Sequence, residues 1–298
     1  MHVGVILPVS AGEWAPLVEL ARHTEEAGGD SVWVPDHVYA MRPGMGMFEA
    51  WTVMSAVAAS TERVQVGAQV LCQSFRNPAL LAKMAATLDH VSGGRLRMLL
   101  GAGWYQAEYE AFGWEFPPPA VRVEQLRDTV RILNGLLNGD GPFTYEGRHY
   151  RVRDAVNLPP PLQRPIPIEV GGQGNRMLRL IASEADGWSI AWPAPGVEER
   201  VSFMAEACER AGRSIGDLRI SCTIFCAVGD PDALLGDPRY AMFRGEHGFV
   251  GSVDQAVHRA GELMALGIED FCLALPGGSK GLVSLDRFLA DVRPQLAT

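Results

Sequence analysis

Apolar positions along this chain follow two spacings that take turns. Short runs rich in β-branched and aromatic residues occur at 2–7 (HVGVIL), 31–35 (SVWVP), 63–72 (RVQVGAQVLC) and 95–104 (RLRMLLGAGW). They recur at 166–172 (IPIEVGG), 186–191 (DGWSIA), 218–229 (LRISCTIFCAVG) and 269–275 (EDFCLAL). Such runs read as buried strands. Between them, apolar residues return every three or four positions, which is the helical spacing. The clearest case is 77–92, where Asn77 caps, Pro78 occupies the first turn, and Leu80, Leu81, Met84, Ala85, Leu88 and Val91 make one apolar face. Further helices are expected at 14–27, 49–60, 121–138, 175–184, 196–211, 252–266 and 284–296; Ser252 and Gln255 form a capping-box start for the seventh of these eight.

Strands joined by helical crossovers pair in parallel, because a parallel pair needs a connection of that length. Eight strands alternating with helices predict an α/β fold, a (β/α)8 TIM barrel with insertions at the C-terminal face of the strands. A doubly wound sheet is the alternative, since closure of the ring is not visible in a pattern. The alternation lapses over about 104–165, which holds PPPA (117–120), a helix and a hairpin at 143–152 (FTYEGRHYRV). This segment is expected as an insertion into a single domain spanning 1–298. In either architecture chemistry belongs at the carboxyl ends of the strands.

Composition narrows the function classes. The chain has 298 residues, 47% of them hydrophobic, and a formal charge of −9. That acidity argues against nucleic acid and anionic membranes as partners and leaves a small-molecule substrate. No apolar run approaches the ~20 residues of a membrane span, and the start MHVGVILPVS lacks the basic head of a signal peptide. Five cysteines with no CxxC pair suggest reduced core thiols and a cytoplasmic location. Histidine and cysteine spacings match no metal motif.

Four places could carry chemistry. Asp36-His37 closes the second strand run beside a glycine- and methionine-rich loop (41–47) long enough to be a mobile lid. A histidine there can move a proton and a carboxylate can orient it; the alternative is a satisfied structural histidine. VGGQGN (170–175) joins a strand to a helix, so its glycines Gly171, Gly172 and Gly174, with Gln173, could bring backbone amides to a phosphate, with Arg176 and Arg179 adding positive charge. In GAGWYQAE (101–108), Gly103 allows close approach to a flat group, Trp104 could wall a pocket and Glu108 could act as an acid. GGSKG (277–281) matches the serine nucleophile elbow literally, but Pro276 and a helix expected only later argue against a hydrolase using Ser279.

Taken together, VPDHV (34–38), FRNPALLAKMAATLDHVSGGR (75–95), LGAGWYQAEYEAFG (100–113) and PIPIEVGG with ASEADGW (165–188) resemble the luciferase-like monooxygenase superfamily, in its branch that uses the deazaflavin coenzyme F420. The resemblance spans nearly the whole chain and implies hydride transfer between F420 and a small organic substrate. It implies that Asp36 contacts the deazaflavin head group and His37 lies near the reacting carbon, with Glu108 as a second catalytic group. A bulge with a non-proline cis peptide at Gln69–Val70, continuing to Cys72, would back the ring. Gly103 and Trp104 would border it, and Gly171 to Gly174 would hold the phosphate. A homo-oligomer, a dimer first, is implied as well. An FMN-dependent monooxygenase is the nearest alternative, and a non-catalytic cofactor carrier a further one.

Overall fold

The structure, a computed structural model, describes residues 1–41, 44–193, 196–229 and 248–296. Eight parallel strands close a ring in the order β1 (His2–Ile6), β2 (Ser31–Val34), β3 (Gln65–Ala68), β5 (Leu96–Gly101), β8 (Ile168–Gly171), β9 (Gly187–Ala191), β10 (Arg219–Val228) and β12 (Asp270–Ala274), the last pairing back onto β1. Closure runs through register pairs such as Val3 with Phe271 and Ser221 with Asp270. The TIM barrel is therefore the observed architecture and the doubly wound sheet is excluded. The strands are buried on both sides, as β5 is along its whole length, because the helices cover one face and the barrel interior the other. The outer layer of helices comprises α1 (Trp14–Glu26), α2 (Ala50–Ser60), α3 (Pro78–Ser92), α5 (Pro119–Asn138), α6 (Asn175–Glu184), α7 (Val197–Arg210), α8 (Val253–Ala265) and α9 (Ser279–Arg287), with a short α4 (Gln106–Ala111) at the C-terminal face.

Several boundaries differ from the pattern-based expectation. The single run at 63–72 divides into β3 and β4 (Leu71–Cys72), with a cis peptide at Gln69–Val70 between them, where the resemblance places it. The 104–165 segment is not all addition: α5 packs between α3 and α6 and fills the crossover between β5 and β8. The added parts are the stretch before it and the antiparallel hairpin β6 (Phe143–Glu146) and β7 (Arg151–Ala155) after it. A further parallel strand, β11 (Gly248–Gly251), pairs with the end of β10 and had no signal beyond the two apolar residues Phe249 and Val250. The last helix begins at Ser279 rather than 284 and passes into π and 3-10 turns over 288–296. The lid expected at 41–47 includes positions 42 and 43, which lie outside the described residues.

The barrel interior is polar at its N-terminal end and apolar above. Arg97 donates to Glu169 at 2.8 Å through Nε and to Asp270 at 2.7 Å through Nη1, and its guanidinium lies 4.7 Å from the centre of the Trp33 ring. Arg219 and His2 reach the same Asp270 carboxylate at 2.9 and 3.1 Å. At the opposite end Val70 plugs the barrel between Gly101 and Gly171; a methyl on Gly101 would overlap Val70 Cγ2, and one on Gly171 would lie 2.9 Å from Val70 Cγ1. Gly101→Ala is accordingly expected to cost about 1–3 kcal/mol of stability through overpacking, read as a lowered thermal midpoint.

Candidate active site

Asp36 follows β2 and is buried, yet both of its oxygens are engaged. Oδ2 accepts from the Cys72 backbone N–H at 2.8 Å and from Arg76 Nη1 at 2.7 Å, while Oδ1 accepts from Arg76 Nη2 at 3.1 Å. Burial pushes the Asp36 carboxyl up from its ordinary value, and the Arg76 guanidinium opposes that shift. Arg76 also donates to Glu49, whose carboxylate caps α2 through the Trp51 and Thr52 amides. One ion cluster, buried at Asp36 and open to solvent at Glu49, thus locks the ends of β2 and β4 to the starts of α2 and α3. Arg76 was not singled out in the sequence, where FRNP reads only as a helix start; its partner lies 40 residues earlier.

The next residue faces the other way. His37 Nδ1 lies 3.1 and 3.2 Å from the two oxygens of Glu108, and Glu108 Oε2 also accepts from the Val38 N–H at 3.2 Å. Glu108 sits on α4 and is fully buried, which separates this pair from an exposed contact. An ionised carboxylate only accepts, so the ring donates through Nδ1 and its Nε2 is left as the acceptor. Around the imidazole stands an aromatic rack. Trp104 meets His37 edge to face at 5.7 Å, Tyr105 at 6.2 Å, and Tyr39 lies 6.4 Å beyond Tyr105. Trp104 is 62% exposed and Tyr39 46%, so the rack presents apolar surface outward. Sequence reading proposed Trp104 but not Tyr39 or Tyr105, since no local periodicity marks a loop aromatic.

The remaining candidates divide. Gln69 spans the barrel mouth, donating to Ser189 Oγ at 2.9 Å and Thr223 Oγ1 at 2.8 Å. Cys72 Sγ lies 3.1 Å from Tyr109 Oη beneath Gly103, and burial pushes the thiol up to about 11, so it remains a thiol at neutral pH. In the glycine-rich turn, Gly172 already donates its N–H to Ser189 O and accepts from Trp188 Nε1 at 2.7 Å, and Gln173 donates to Ala191 O at 2.6 Å. The open amides are those just beyond: α6 starts after Gly174 with no side-chain cap, leaving its first-turn N–H groups available to an anion. Ser279 is exposed at the head of α9, and among the described residues no histidine bonds to it; His23 pairs instead with Asp286 at 2.7 Å.

A family model described as luciferase-like monooxygenase matches residues 1–272. This chain belongs to that family. Among curated relatives of the family member described here, an F420-dependent glucose-6-phosphate dehydrogenase from Kineococcus radiotolerans is 34% identical over 241 residues, covering 78% of this chain and 70% of the relative. A protein of the same name from Amycolatopsis mediterranei is 32% identical over 218 residues, 70% of this chain. The match spans 64% of that protein, less than two thirds of its length. Among solved structures, an F420-dependent secondary alcohol dehydrogenase in complex with an F420-acetone adduct superposes with a TM-score of 0.84 at 22% identity, covering 100% of this chain and 99% of the other. That likeness shows a shared (β/α)8 fold. No helix of the described residues is long and apolar enough to cross a membrane.

Proposed function

We propose that this chain is an F420-dependent oxidoreductase that moves a hydride between the cofactor and a small organic substrate. The observation that carries the reading is the His37–Glu108 pair at the C-terminal face, its carboxylate buried and its imidazole half-buried, with a His37 Nε2 that no described residue engages beside the aromatic rack. The relatives named as F420-dependent enzymes support the choice of cofactor. The residues present fit such a group. Val70 and Cys72 floor the mouth of the barrel, Gly103 and Trp104 border it, and the uncapped start of α6 offers amides for a phosphate.

When bound, F420 supplies the carbon that gives or takes the hydride. For a substrate hydroxyl being oxidised, His37 Nε2 accepts the proton as the C–H bond gives up its electron pair; in the reverse direction the imidazolium returns it. Glu108 holds the ring and stabilises its positive form, and the aromatic rack keeps water away from the reacting atoms. Asp36 acts through its partners, fixing the Cys72 amide and Arg76 around the cofactor's head group. Ultraviolet–visible titration tests the assignment: F420 is expected to bind at least ~10-fold more tightly than FMN, and the opposite order overturns it.

The assembly we infer is a homodimer in a reducing compartment, the latter supported by five buried free cysteines. Leu80 and Val91 on α3 were expected to face the core but are exposed, and the neighbouring Leu158 and Leu162 are exposed too. Lys83 and His90 bond to the carbonyls of Leu158 and Pro160, which holds this stretch alongside α3. Leu158→Asp is expected to convert a species of twice 32.3 kDa into a monomer in light scattering.

A further inference from the structure

Exposed aromatic side chains gather at one end of this molecule. Among the described residues five are exposed: Trp14, Tyr39, Trp104, Phe112 and Trp192. Trp14 opens α1, Tyr39 follows β2, Trp104 follows β5, Phe112 caps the end of α4 and Trp192 follows β9, so all five belong to the C-terminal face. Met41 and Met45 are exposed on the same side. Apolar surface that collects around a site marks what the site binds, and methionine adds a side chain that adapts to the shape of its ligand.

The rack beside His37 has an order. Trp104, Tyr105 and Tyr39 stand in a row with ring centres 5.5 and 6.4 Å apart, inclined to each other by 36° and 31°. His37 meets the first two edge to face, at 87° and 80°. The row therefore runs past the imidazole with its ring faces roughly aligned. Polar groups at its inner end are engaged with one another. Both Asp36 oxygens are taken by Arg76 and the Cys72 amide, Arg76 is shared with Glu49, and the Gln69 amide nitrogen spans Ser189 and Thr223. Glu108 holds His37 and the Val38 amide, which leaves His37 Nε2 as the inner polar atom that no described residue engages. A sugar needs a partner for each of its hydroxyls, because a hydroxyl buried without one is penalised. This site offers one inner polar contact followed by aromatic surface.

We propose that the substrate is an uncharged alcohol carrying an aromatic ring, or the carbonyl compound it becomes, with Tyr39 and Tyr105 as the side chains that select it. The proposal rests on the F420 reading above and deepens it by naming the substrate class. In the oxidising direction the carbinol C–H bond breaks and its electron pair leaves as hydride to the oxidised deazaflavin. The hydroxyl proton passes to His37 Nε2 and the carbon–oxygen double bond forms. The substrate's ring is held by Tyr105 and Tyr39 while its oxygen faces the imidazole.

Steady-state rates of the F420-loaded enzyme with 1-phenylethanol, 1-cyclohexylethanol, 2-propanol and glucose 6-phosphate test it. For 1-phenylethanol kcat/KM is expected to exceed that for 2-propanol by about 10–100-fold, the range for burying an aromatic side chain. It is expected to exceed that for 1-cyclohexylethanol by about 2–10-fold, the margin an aromatic pair adds beyond its area. In the double variant Tyr39→Leu with Tyr105→Leu, which keeps apolar area without the rings, this second margin is expected to vanish. An unchanged thermal midpoint checks the fold, and Tyr39→Leu alone, at an exposed position, is expected to lose part of the margin if the double variant does not fold. Saturation-transfer NMR on the cofactor-free chain reads the contact without turnover: the ring protons of 1-phenylethanol take up saturation in wild type and less in the variant. Wild type with no margin over the cyclohexyl compound, with no saturation at the ring protons, or with a larger kcat/KM for glucose 6-phosphate overturns the substrate class. A double variant that keeps the margin overturns the selecting role of the two tyrosines. Failure of F420 to bind wild type instead overturns the functional reading beneath the proposal, whereas F420 binding with turnover that ignores the ring removes the substrate class alone.

Discussion

His37→Ala lowers kcat by about 10²–10⁴-fold while the protein still binds F420, the usual range for losing a positioned general acid–base group. The ring touches Trp104 only by its edge, so truncation leaves the bordering wall standing. Cofactor affinity measured by fluorescence should therefore change little, and the loss should appear in the chemical step. Glu108→Gln separates positioning from catalysis. The amide can still meet Nδ1, but it no longer stabilises the imidazolium or dictates which nitrogen carries the proton. Its expected result is a smaller fall in kcat, accompanied by a displaced pH–rate profile, which a purely structural role for Glu108 would leave in place. Wild-type turnover that survives His37→Ala undiminished would remove the proton-transfer role, and a wild type with no turnover on any substrate would favour the carrier reading.

The largest expected effect on stability lies at the other end of the barrel. Arg97→Met removes the cation shared by Glu169 and Asp270, leaving two buried carboxylates short of their charge partner. Losing one member of a buried cluster of this kind costs about 3–5 kcal/mol, measured by denaturant unfolding near neutral pH. The pH dependence follows from Asp270. Burial by itself would raise its carboxyl, but the His2 hydrogen bond and the charges of Arg97 and Arg219 outweigh it and hold the group well below the ordinary range. A depressed folded-state value means that the contribution is complete above the unfolded value of ~3.9 and is lost as pH falls through the folded one. The gap between wild type and Arg97→Met is therefore expected to narrow in acid; a gap that stays constant from neutral pH to about pH 3 would show that the cluster's charges are not what stabilises the barrel.

Much of the scaffold was legible because its signals are local. The Asn77-Pro78 start of α3, the Ser252 capping box and the β-branched strand runs each act within a few residues, and each appears where its chemistry requires. Even Gln69–Val70 was anticipated, through resemblance and not periodicity. The errors came where neighbours distant in sequence decide. The α3 periodicity was right as a helix but too wide as a buried face: Leu81, Ala85 and Leu88 meet the barrel, whereas Leu80 and Val91 point away from it. Proline-rich flanks hid the role of α5 as an ordinary crossover helix.

The candidate site divides along the same line. His37, Glu108 and Trp104 could be nominated from residue type and from their place after strand runs. Their assembly could not be read locally, because a side-chain pair 71 residues apart forms only when β2 and β5 are held in one ring. By itself the sequence determined the alternating elements, the end of the strands at which chemistry collects, and an acidic surface. Only the tertiary structure decided that the ring closes, and that Asp36 is tied to Arg76 while His37 is paired with Glu108. Local propensity acts through a few neighbouring dihedrals and side chains, whereas ion pairing and ring closure depend on distances that exist only after the whole barrel has packed.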